Sequence, residues 1–174
     1  ESAPLVIAYI ASPQMGSLPF TLLGIDPFAE APFRSYLGSG GDGFAESIAA
    51  LLLVPDSVLL SSQTAARYGL HPCLPQRLDD SCRLDLNING EARTVHLTGL
   101  LEPSDDFSRR ALDTLMLTDI ATAQSLSSTG GRLSQIDLIL PETFDTTRLA
   151  SILPAGTMLV PSERRNGQVA EMTK

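Results

Sequence analysis

The most restrictive stretch of this chain runs from Cys82 to Thr98, where two alternating runs, CRLDLNI (82–88) and RTVHLT (93–98), flank the dipeptide Asn89-Gly90. Asn-Gly between alternating runs specifies a two-residue type I′ hairpin, because both turn residues must take positive φ to match the twist of the strands. The turn also sets the register. Leu84 then faces Val95 and Cys82 faces Leu97 on one side, while Arg83, Asp85 and His96 point to the other. Cys82 is therefore core-facing, and His96 reads as a solvated residue rather than a ligand.

Around this hairpin, segments of strand and helix character alternate irregularly. PLVIAYIA (4–11) and FTLLGI (20–25) read as a strand pair joined through Pro13, Gly16 and Pro19. A short helix is expected over Pro27–Tyr36, then a glycine loop, Gly38 to Gly43. Apolar residues at Phe44, Ile48, Leu51 and Leu52 give helical spacing over 44–53, stopped by Pro55-Asp56. Ser57 to Leu60 reads as a strand, and Ser62 to Tyr68 as a helix ending at Gly69. Beyond the hairpin, LDTLML (112–117) is an expected strand, followed by a helix from Thr118-Asp119 to Leu126 with a capping carboxylate. Ser134 to Leu140 is a further strand, Thr143 to Ile152 a helix, and TMLV (157–160) a last short strand before a terminal helical stretch. Hairpins mixed with crossovers mean an α+β fold with antiparallel and mixed pairing.

At 174 residues the chain can bury roughly 70% of the surface its unfolded form exposes, enough for a core without metals or cross-links. The net charge of −8 argues against nucleic acid, whose recognition needs clustered Lys and Arg. The basic doublets Arg109-Arg110 and Arg164-Arg165 read as solvated surface. The longest apolar run, IAALLLV (48–54), is far short of the twenty or so residues that span a bilayer. The chain opens on Glu1-Ser2 without a Met and stops inside a helix-like stretch, as expected for a piece of a longer polypeptide.

No catalytic, cofactor or metal residues are assigned from the sequence. Gly38, Gly40 and Gly43 fit G-x-G-x-x-G, but that fingerprint binds a pyrophosphate only between a buried strand and a helix start. The preceding PFRSYL is helix-like. Asp79-Asp80 and Asp105-Asp106 read as solvated loop charges, since acid/base work needs two groups converging on one bond. His71 and His96 are assigned surface or loop roles. Cys73 and Cys82 form no C-x-x-C pair and have no histidine partners, so they are either two ordinary thiols or a disulfide closing a short loop. A soluble nucleotide-binding enzyme using the Gly38–Gly43 loop and an envelope adhesion or scaffold module stand as competing classes.

Several segments, in order, resemble the periplasmic core domain of FtsX-like permeases, the family of the macrolide-exporter and lipoprotein-release permeases. They are FTLLGIDPFAE (20–30), SVLLSSQTAARYGL (57–70), VHLTGLLE (95–102), LDTLMLTDIATAQSL (112–126), GRLSQIDLIL (131–140) and LPAGTMLV (153–160). Where that family usually has Gly-Asp after the helix's Gly-Leu pair, this chain has Gly69-Leu70-His71-Pro72-Cys73. The resemblance implies a non-catalytic extracytoplasmic domain of an ABC transporter permease, on the outer face of the bacterial inner membrane. Membrane helices of the same polypeptide and a cytoplasmic ATP-binding subunit are its implied partners, with a periplasmic accessory protein or a lipoprotein or peptide cargo. It also implies two lobes, an outer β-rich one over about 26–133 and a membrane-proximal one from 1–25 plus 134–174. The periplasmic setting so implied favours a Cys73–Cys82 disulfide.

Overall fold

A computed structural model describes residues 1–30, 32–33, 42–103 and 105–161, with backbone alone at 42–44 and 107. By compactness the chain divides into Glu1–Ile139 and Leu140–Lys174. Among its described residues the first unit has seven strands: β1 (Ser2–Ala11), β2 (Pro19–Ile25), β3 (Ser57–Ser61), β4 (Arg83–Ile88), β5 (Glu91–Leu101), β6 (Leu115–Asp119) and β7 (Gln135–Leu138). Its helices are α1 (Asp42–Leu53), α2 (Ser62–Tyr68), α3 (Asp106–Leu112) and α4 (Ile120–Ser127). The mixture is α+β, as the sequence pattern implies.

Six strands close on themselves. β1 is antiparallel to β2, β2 parallel to β6, β6 antiparallel to β3, β3 parallel to β5, and β5 antiparallel to β4. β4 returns to β1 through Ile10↔Ile88 and Ala11↔Asn87, completing the ring. β7 occupies the other end of that β1 edge, pairing Ser2–Leu5 with Leu138–Gln135. Between the two partners, the Ile7 N–H donates to Ser134 Oγ at 2.9 Å. A closed ring leaves fewer unpaired backbone groups than an open sheet would.

Alternation sorts the apolar residues onto the two faces of the ring. Val6, Ala8, Ile10, Phe20, Leu22, Val58, Leu60, Leu84, Leu86, Val95, Leu97 and Met116 form one buried cluster, joined by Ala65 of α2 and by Ala123 and Leu126 of α4. Leu5, Leu23, Ile25, Leu59 and Leu117 point the opposite way, against Leu51 of α1 and Leu112 of α3. The second face is therefore covered by helices rather than water. Buried hydroxyls join the layers: Ser57 Oγ donates to the Ala50 carbonyl at 3.2 Å and lies 3.0 Å from Thr98 Oγ1, while Thr118 Oγ1 donates to the Ser57 carbonyl at 2.7 Å. Thr98 is free to do this because the β3–β5 register slips by one residue there, from Val58↔Leu97 to Leu59↔Gly99.

The hairpin forms in the expected register, with Leu84 opposite Val95, Arg83 opposite His96, and positive φ at Asn89 and Gly90. Ser61 caps α2, and its C-terminal turn closes at Gly69 with φ 64°. Asp119 caps α4 by accepting the Thr122 N–H.

Three expectations need correction. Over Pro27–Tyr36 the described residues form turns rather than a helix, because Asp26 offers its own carboxylate to the Phe28 N–H and its carbonyl to the Ala29 N–H. Residues 34–36 lie outside the described residues, as does the terminal stretch that holds Arg164-Arg165. Leu112 closes a helix instead of opening a strand: Asp105 caps α3 through the Ser108 N–H at 2.7 Å, and β6 begins only at Leu115. The 157–160 segment is exposed and has no ladder partner, so its strand propensity goes unrealised. Within the first unit β1 pairs with β4 and β2 with β6. The second unit contributes α5 (Thr146–Ile152), capped by Asp145 and burying none of its residues.

Among the described glycines the tightest approach is at Gly24, where a Cβ would stand 2.3 Å from the Ala123 Cβ of α4. Gly24→Ala is therefore expected to destabilise the domain by about 1–3 kcal/mol through overpacking, read from urea melts. An unchanged midpoint would show that α4 does not lie against β2 at this point.

Candidate functional site

The described residue pair with the most distinctive chemistry is Cys73 and Cys82, which hold the loop between α2 and β4. Leu97 of β5 binds both ends of that loop: its carbonyl accepts the Cys73 N–H at 2.9 Å and its N–H donates to the Cys82 carbonyl at 2.8 Å. Both side chains are buried, at 8% and 1% exposure, as part of the cluster inside the ring. Their Cα atoms are 5.5 Å apart and their sulfurs 2.17 Å apart. That Cα separation falls in the range a disulfide requires.

The loop folds back so that Asp79 meets the pair. Its Oδ1 lies 3.5 Å from Cys73 Sγ and accepts both the Ser81 hydroxyl and, at 2.9 Å, the Ser81 N–H. These donors, the hydroxyl first, hold the Asp79 carboxyl below the usual carboxylate range. The neighbouring Asp80 is exposed. Sequence reasoning read the two carboxylates as equivalent solvated charges, and only the turn at Ser81 separates them. The available signal was the Asp-x-Ser step, which favours a side-chain-to-backbone turn.

The other candidates do not converge. Asp105 is spent as the α3 cap, and Asp106 pairs with Arg109 one turn along. His71 is exposed in a loop. His96 is half-buried on β5, less solvated than expected, and its Nδ1 has no hydrogen-bond partner. Among the described residues neither imidazole shares a hydrogen bond with a serine or a carboxylate. Gly38 and Gly40 of the glycine loop lie outside the described residues, and Gly43 enters only as backbone of α1. A polar cleft of about 300 Å³, lined by Asp56, Arg93, Thr94 and Ser125, opens beside the hairpin. Its Arg93 is already engaged by Glu91 and by Ser128. Among the described residues no helix is long and apolar enough to cross a membrane.

No protein-family model matches the sequence. An ABC transporter permease protein of Mycobacterium tuberculosis is 39% identical over 172 residues, which is 99% of this chain and 19% of that protein. This chain is a homologue of a segment of an ABC transporter permease. It spans about a fifth of the relative's length. Among solved structures, the periplasmic region of MacB from Actinobacillus actinomycetemcomitans aligns with 87% of the permease-like segment and 62% of its own chain, at 13% identity and a TM-score of 0.42.

Alkylation of the unreduced, denatured chain is expected to modify neither cysteine, and reduction to expose two, as read by intact mass. Two thiols alkylated without reduction would exclude the bridge. At a sequence separation of nine, the chain-entropy account gives the cross-link about 2.6 kcal/mol, so Cys73→Ser/Cys82→Ser should lower the unfolding free energy by about that amount.

Proposed function

We propose that this chain is the extracytoplasmic domain of an FtsX-like ABC transporter permease, a non-catalytic element that transmits motion or contacts cargo or an accessory protein during ATP-driven transport. The observation that carries the reading is the 39% identity to an ABC transporter permease, extending over 99% of this chain. Homology over that length covers every strand of the ring, and so concerns a whole folding unit rather than a shared motif. The ordered FtsX-like segments of the sequence support the subfamily and the periplasmic side of the membrane.

The closed ring suits a mechanical role. A barrel with a filled interior and helices packed outside resists shear, so force applied at one element moves the unit as a body. Membrane helices of the same polypeptide would deliver that force, driven by a cytoplasmic ATP-binding subunit. The buried Cys73–Cys82 pair fits an oxidising compartment, where a bridge persists.

Sidedness provides the test. Arg110→Cys, on the exposed face of α3, is introduced into the full-length permease and treated with a membrane-impermeant maleimide in intact cells. Labelling before lysis is expected. Labelling only after lysis would place the domain in the cytoplasm and overturn the reading.

A further inference from the structure

We infer that the reduced form of the 73–82 loop binds one thiophilic divalent cation, such as Zn²⁺ or Cd²⁺, through the thiolates of Cys73 and Cys82 and the carboxylate of Asp79. This goes beyond the transporter reading and does not depend on it. One donor atom from each of the three residues lies within 4.8 Å of the others. For zinc the expected spacing follows from bond lengths of about 2.3 Å to sulfur and about 2.0 Å to oxygen, which in a tetrahedron separate sulfur from oxygen by about 3.5 Å and two sulfurs by about 3.8 Å. Asp79 Oδ1 already stands 3.5 Å from Cys73 Sγ. The sulfurs need only part once the bridge is broken.

Two features hold the donors in place through that change. The Cys73 and Cys82 backbones are bonded to the carbonyl and the N–H of the same residue, Leu97, and these bonds do not involve the sulfurs. Asp79 is oriented by the Ser81 backbone N–H, again independently of the bridge. Cys82 closes the inner side of the site at 1% exposure, whereas Asp79 is exposed, leaving an outer position for water as a fourth ligand. Three protein ligands with one open position is a coordination zinc accepts readily. Bridge and cation compete for the same atoms: forming the S–S bond passes two electrons to an external oxidant such as another disulfide and releases both thiol protons, so the oxidised chain offers no thiolate, and an external thiol or phosphine reductant must return the two electrons before a cation can bind.

The 174-residue chain, reduced with a phosphine and kept anaerobic, is titrated with Cd²⁺ while the ultraviolet thiolate-to-cadmium charge-transfer band is followed, and Zn²⁺ stoichiometry is read by native mass spectrometry. One ion per reduced chain is expected and none on the oxidised chain. Cys82→Ser should abolish the band, Asp79→Asn should weaken binding at least tenfold, and Asp80→Asn should leave it unchanged. Absence of the band overturns the proposal. Equal affinities for Asp79→Asn and Asp80→Asn also overturn it, because an unfolded reduced loop or a site made of thiolates alone would treat the two carboxylates alike; far-UV circular dichroism of the reduced chain tells those two cases apart.

Discussion

Both edges of β1 are in use, and the rest of the ring depends on that. One edge runs the length of β2, from Leu5↔Ile25 to Ala11↔Pro19, while the other is shared between β7 at Ser2–Leu5 and β4 at Ile10–Ala11. Without the short β1–β4 contact the sheet would be open, with β4 at one end and β1, carrying β7, at the other. The hydroxyl of Ser134 covers the gap between the two partners at Ile7, so the strand changes neighbours without leaving that N–H unpaired. Closure converts alternation along each strand into an inside and an outside, and the inside fills with the aliphatic residues of six strands.

Filling that interior sets what can happen at its ends. α4 reaches β2 only because Gly24 has no side chain, and Ala65 of α2 enters the same cluster. The loop after α2 then returns to β4 along the surface, with a buried cysteine at each end bonded through its backbone to Leu97. Burial of the pair follows from the position of the loop, and their proximity follows from sharing one β-strand residue as backbone partner. Oxidation state decides the rest: bridged, the pair closes a short loop over the apolar cluster; reduced, the same atoms sit beside an oriented carboxylate.

In the Mycobacterium tuberculosis relative the matching segment lies within a polypeptide about five times the length of this chain. The charge of the chain agrees with a surface that meets proteins and solvent rather than phosphate backbones.

By itself the sequence determined the local structure wherever backbone chemistry is decided by near neighbours. Asn89-Gly90 imposed its turn and register, Ser61 and Asp119 began their helices, Gly69 ended one, and the core-facing direction of Cys82 followed from parity along β4. Local signals failed where a side chain competed unnoticed, as when Asp26 made a turn and Asp105 a helix start, and where propensity had no partner, as at 157–160. Tertiary structure alone decided that six strands close into a ring, that Cys73 lies beside Cys82, and that Asp79 rather than Asp80 faces them. Those outcomes depend on contacts between residues distant in sequence or on the path of a loop anchored at Leu97, and no local pattern encodes which strand a distant segment will find.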